Sequence, residues 1–170
     1  SGTVAYSYDD PTPAVSGVRY DCTTASCTGS VSSSSANPSA SYTRQYQITF
    51  AVLPAGSGTT APTGTNWYNQ GQALSITATP GAGNTFSNWT STNASITFLS
   101  STAANTTATI GGTGTITANF VAATFSKTFN QTGISAGTTW GVTIGATRYT
   151  STGASVTISN LSGTVSYNYD

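Results

Sequence analysis

The stretch "YTRQYQITFAVLP", residues 42–54, decides the fold class. Its large side chains fall at Tyr42, Tyr46, Ile48, Phe50 and Val52, with Thr43, Gln45, Gln47 and Thr49 between them. A period of two is the mark of a strand with one face in a core, because successive side chains point to opposite faces. The same alternation recurs outward along the chain. "QALSITATP" (72–80) places Leu74, Ile76 and Ala78 on one face, and "ASITFL" (94–99) places Ile96 and Phe98. "TITANFVAATFSKTF" (115–129) carries Ile116, Ala118 and Phe120, and later Phe125 and Phe129. "TTWGVTIG" (138–145) carries Trp140, Val142 and Ile144, and "ASVTISN" (154–160) carries Val156 and Ile158. Gly, Pro, Asn and Ser cluster between these runs, as turns require. No segment sustains a helical period. Short, regularly spaced strands with one apolar face predict an all-β sandwich or open barrel.

Composition narrows the function. Charged residues make up 5% of the chain, the net charge is zero, and there is no His. Nucleic-acid binding needs clustered Lys and Arg to displace counterions, and an anionic membrane surface needs the same. Neither partner is expected. No apolar run approaches the ~20 residues of a membrane-spanning helix. The four acidic residues are all Asp, so descent from neutral to acid pH protonates very few groups. Such a chain suits an acidic medium. It contains no Met, which leads us to expect a processed form from which a secretory signal segment has been removed.

Chemistry is sparse. Without His or Glu the usual acid–base groups are missing, and Lys127 is the only lysine available to activate a nucleophile. Asp9 and Asp10 are adjacent and point to opposite faces of a strand, a poor carboxylate pair and a thin metal site. An isopeptide bond from Lys127 to an Asn or Asp needs a buried acid nearby, and few are available. No enzyme, no metal site and no cofactor are expected. Cys22 and Cys27 sit in "CTTASC", a spacing that suits a small disulfide loop in an oxidising compartment; two buried thiols are the alternative. Asn88, Asn93, Asn105, Asn130 and Asn160 each stand in Asn-x-Ser/Thr, so N-linked glycans are expected on some of them. Asn37 is blocked by Pro38.

Residues 46–89, continued by "TITANF", resemble the divergent B-type repeat of bacterial and archaeal surface proteins. The resemblance rests on Pro54, Gly56, Gly58, Pro62, Gly64, Tyr68, Gly71, Leu74, Ile76, Ala78, Pro80, Gly83, Phe86, Trp89, Ala118 and Phe120. Residues 133–169 resemble the short β repeat at the C-termini of thermopsin-like archaeal secreted proteins, through Gly133, Gly137, Thr138, Trp140, Val142, Thr143, Gly163, Thr164 and Tyr167. Neither module is catalytic.

The chain begins with "GTVAYSYD" (2–9) and closes with "GTVSYNYD" (163–170), which differ at two positions. In the first, Val4, Tyr6 and Tyr8 share one strand face. "DDPTP" follows, and Pro-x-Pro stiffens the leader. A lone strand does not fold by itself. It completes a sheet either in cis, on its own domain, or in trans, on the next subunit. A trans arrangement does not close on itself and builds a filament.

Together these features resemble archaeal thread pilins: glycosylated β subunits of extracellular filaments, joined head to tail by an N-terminal donor strand. The resemblance implies an Ig-like or pilin-like β-sandwich, residues 14–170, with submodules at 42–120 and 121–170. It implies that residues 1–13 are a donor tail and leader, with Val4, Tyr6 and Tyr8 as the donor side chains. Identical subunits are then the partners, outside the cell, in adhesion or biofilm. Two other readings stand beside it: a monomeric carbohydrate-binding or adhesin module using Trp67, Trp89 or Trp140, and a spacer repeat of a larger S-layer or surface protein.

Overall fold

The computed structural model of the chain describes residues 2–9, 11, 15–23 and 27–170. Ser1, Asp10, Thr12 and Pro13 of the expected leader lie outside the described residues.

Among the described residues every regular element is a strand: β1 (Val4–Ser7), β2 (Val18–Cys22), β3 (Thr28–Val31), β4 (Tyr42–Leu53), β5 (Gly58–Ala61), β6 (Thr65–Asn69), β7 (Ala73–Pro80), β8 (Asn84–Ser91), β9 (Ile96–Phe98), β10 (Asn105–Ile110), β11 (Gly114–Ala122), β12 (Thr124–Asn130), β13 (Trp140–Ile144), β14 (Thr147–Ser151), β15 (Ser155–Ser162) and β16 (Tyr167–Tyr169). The all-β expectation holds.

β4, residues 42–53, is the longest strand among the described residues and organises the first sheet. β4 pairs antiparallel with β2 and β6 and parallel with β11, which in turn pairs with β8. A second sheet, in the order β5-β7-β10-β9, packs against it. The core between them is what the alternation demands. Ile48, Ile110 and Ile116 are fully enclosed, and Tyr46, Phe50, Ile76, Trp89 and Phe120 are buried beside them. Each such side chain contributes about 1.5–3 kcal/mol on leaving water. Tyr68 packs edge-on against Phe50. Burial raises its phenol pKa above the ordinary value. Tyr42 and Val52, expected on the same face, lie nearer the ends of β4 and are only half-buried.

Residues 115–129 read as one apolar stretch, but they are two strands. β11 buries Ile116, Ala118 and Phe120, whereas β12 buries Phe129. The buried phase slips from even to odd positions at Ala122–Thr124, where the Ala123 amide donates to the Gly83 carbonyl at 2.8 Å. After the slip the chain serves a second core: Phe129, Trp140, Val142, Ile158 and Leu161. It lies between β12-β15 and the three-stranded β14-β13-β16. A bulge in β12-β15 leaves Asn160 at φ 60°, a left-handed conformation that Asn tolerates better than most residues.

Cys22 and Cys27 form a disulfide with a Cα separation of 6.1 Å. It ties the end of β2 to the chain just before β3, and β3 carries β1.

Candidate functional site

The N-terminal stretch forms a two-stranded ribbon. β1 pairs antiparallel with β3: Val4 faces Val31, Ala5 faces Ser30, Tyr6 faces Gly29, and Ser7 faces Thr28. The ladder is extended by the Tyr8 amide, which donates to the Cys27 carbonyl at 2.8 Å. Gly29 has a specific purpose, since a Cβ there would lie 2.8–3.0 Å from the Tyr6 ring and hydroxyl. Without one, the ring lies flat on the backbone. Tyr6 and Tyr8 pack edge to face with centroids 5.7 Å apart. The Tyr8 hydroxyl donates to the Pro38 carbonyl at 2.9 Å, and the Tyr42 hydroxyl donates to the Asp9 carbonyl at 3.0 Å.

In a single chain the tail therefore pairs in cis. The pairing is thin. Val4 is 66% exposed, and no residue of β1 or β3 joins either core. A two-stranded ribbon on its own is marginal in water. Among the described residues β1 pairs with β3 alone, so its other edge is open. Sequence reading found the tail but missed β3, because "TGSV" has no apolar alternation.

The C-terminal copy of the phrase has a different setting. Tyr167 and Tyr169 sit on β16, paired with Ile144 and Val142. Their rings are also 5.7 Å apart and edge to face. Both rest against Phe129, at 4.9 and 6.2 Å, and Tyr169 stacks on Trp140. Arg148 pairs with Asp170 beyond them. Beside this wall lies an apolar cleft of about 350 Å³, lined by Phe125, Lys127 and Phe129 of β12 and by Gly163, Val165 and Tyr167.

The tryptophans divide. Trp89 and Trp140 are buried, and their indole N–H groups donate to the Ala103 and Gly153 carbonyls at 3.1 and 2.6 Å. Both are core residues and cannot form a sugar platform. Trp67 is half-buried, with the Arg19 guanidinium 4.7 Å from its ring centroid. Arg19 also donates to Gln45, which donates to Asn69.

The sequons divide too. Asn105, Asn130 and Asn160 are exposed, and Asn88 is half-buried. Asn93 is built into the fold. Its Nδ2 donates to the Thr113 carbonyl at 2.8 Å, and its Oδ1 accepts from the Ser95 amide at 2.9 Å. A Cβ on Gly112 would stand 2.6 Å from that Nδ2, so the nitrogen that a glycan needs lies against the backbone. Peptide mapping of native material is expected to find sugar mass on some of Asn105, Asn130 and Asn160 and none on Asn93. Full occupancy at Asn93 would show that this turn forms differently in the native protein.

Residues 46–124 match the family model of the divergent InlB B-repeat domain. The match runs from within β4 to the first residue of β12, which spans nearly all of the first core. It supports a surface-repeat β domain over this segment, in agreement with the resemblance drawn from its turn residues and aromatics. The surface-repeat family and the disulfide together point to an extracellular location. No curated protein and no solved structure matches the chain. No helix among the described residues is long and apolar enough to cross a membrane.

Proposed function

We propose that this chain is a subunit of an extracellular filament of the archaeal thread type, in which the tail of one copy completes a sheet of the next. One observation carries the reading: the N-terminal strand β1 has an open edge, an exposed Val4, and no residue in either core. An exposed, uncharged edge of this kind invites pairing with another chain, and natural proteins normally blunt such edges with charge, proline or a cover. Here the strand from Val4 to Ser7 carries neither charge nor proline. A disulfide instead fixes the base of its ribbon to the sandwich. Glycans on the exposed sequons would keep a surface so poor in charge in solution.

The B-repeat match also favours a second reading, a spacer unit in a longer surface protein, since repeats of that kind stand in series. Electron microscopy of native cell-surface material separates the two. Filaments whose only protein is this chain support the first reading. The same sequence found inside a longer polypeptide, with no filament, overturns it.

A further inference from the structure

We infer that the receiving site is the cleft between β12 and β16, and that its occupant is Gly2–Asp9 of a second copy, paired along the open edge of β12. The inference rests on the filament reading and adds where the joint is made.

Four observations converge on it. The first is topological. Among the described residues β12 pairs with β15 alone and β16 with β13 alone, so two free strand edges border the cleft. β12 offers seven residues of edge and β16 three, which makes β12 the better ladder for a strand of four or five residues.

The second is the size of the core. The first cluster holds thirteen buried residues and the second holds five. A unit this small buries too little apolar surface to be secure alone. Phe125 is 41% exposed and Tyr167 51%, both on the cleft. A strand carrying a valine and two tyrosines supplies the cover they lack.

The third is the repeated phrase. Gly2–Asp9 matches Gly163–Asp170 at six of eight positions. In both copies the two tyrosine rings stand 5.7 Å apart, edge to face. In the C-terminal copy that pair already packs on Phe129. The tail thus carries a side-chain set, at a spacing, that this aromatic wall accepts.

The fourth is charge. Lys127 is the one charged residue lining the cleft. Gly2–Tyr8 has no charge, so the docked strand sets no like charge against that ammonium group and carries no unpaired charge into the cleft.

The test uses the full chain. Hydrogen exchange is measured on free and assembled wild-type protein. The outward amides of β12 are expected to slow on assembly, while those of β7 and β10 keep their rates. Phe125→Asp is expected to raise the critical concentration for assembly roughly tenfold, because it puts a charge where the docked strand needs an apolar wall. Phe125 is 41% exposed and belongs to neither core, so the change disturbs no core. Filaments that form with β12 unprotected, and with Phe125→Asp indistinguishable from wild type, overturn this site and leave the filament reading intact. A wild-type chain that forms no filaments under any condition overturns the filament reading and this site with it.

Discussion

Replacing Trp140 with alanine is expected to unfold residues 124–170 while the first core, built from β2 and β4–β11, stays folded. Trp140 is 2% exposed, its indole N–H donates to the Gly153 carbonyl, and its ring stacks on Tyr169. Truncating a buried Trp costs about 3–5 kcal/mol, through lost transfer energy and the cavity left behind. In a cluster of five buried residues that loss matches the whole net stability of so small a unit, about 0.05–0.15 kcal/mol per residue. The first cluster shares no residue with the second, so its contacts survive. Trp89→Ala is the mirror experiment. Trp89 is 2% exposed, touches Phe86, and donates to the Ala103 carbonyl. It is expected to melt the first core. Hydrogen exchange resolved by peptide checks both. If either substitution releases every strand at once, the two cores fold as one unit.

The fold was legible where a strand has one apolar face. β4, β7, β11, β13 and β15 announce themselves by alternation, because each must bury one face and wet the other. β3, β5 and β6 do not. "TGSV", "GTTA" and "TNWYN" carry too few apolar residues for a period, and they become strands because a neighbour's unpaired amides and carbonyls meet theirs. The break at Ala123 was written in the sequence as a change of phase, yet an eye following apolar residues runs across it. The candidate site was half legible. The paired phrases mark both ends of the proposed joint, but a phrase cannot show that one copy lines a cleft while the other stands on a ribbon. Sequons likewise fix where a glycan is chemically allowed. Only the contact of Asn93 with Thr113, twenty residues on, shows that its amide is already engaged.

Deleting residues 1–8 is expected to abolish assembly while leaving the rest of the subunit folded. No tail residue belongs to either core, so no buried contact of the sandwich or of the C-terminal cluster is lost. The ribbon partner β3 stays tethered by Cys22–Cys27. Assembly, by contrast, draws on what the tail leaves uncovered. Val4 is 66% exposed, and Tyr6 and Tyr8 are half-buried, so docking has apolar area still to remove from water. At about 25 cal/mol per Å² this is on the order of 1–2 kcal/mol per side chain, with ladder hydrogen bonds adding about 1 kcal/mol each. Each 1.4 kcal/mol is a tenfold change in affinity, so loss of the whole strand raises the critical concentration more than about a hundredfold. Point substitutions isolate the face that matters. Tyr6→Asp replaces a ring with a charge on the docking face, and a loss of roughly thirtyfold is expected. Ser7→Asp puts the same charge on the opposite face, at an exposed position, and is expected to change assembly less than threefold. Sedimentation of filaments against subunit concentration reads all three. Equal effects from Tyr6→Asp and Ser7→Asp would mean that bulk charge, not one face of the strand, controls assembly. Normal filaments from the deleted chain would place the joint elsewhere on the molecule and return the tail to the cis role that it has in the single chain.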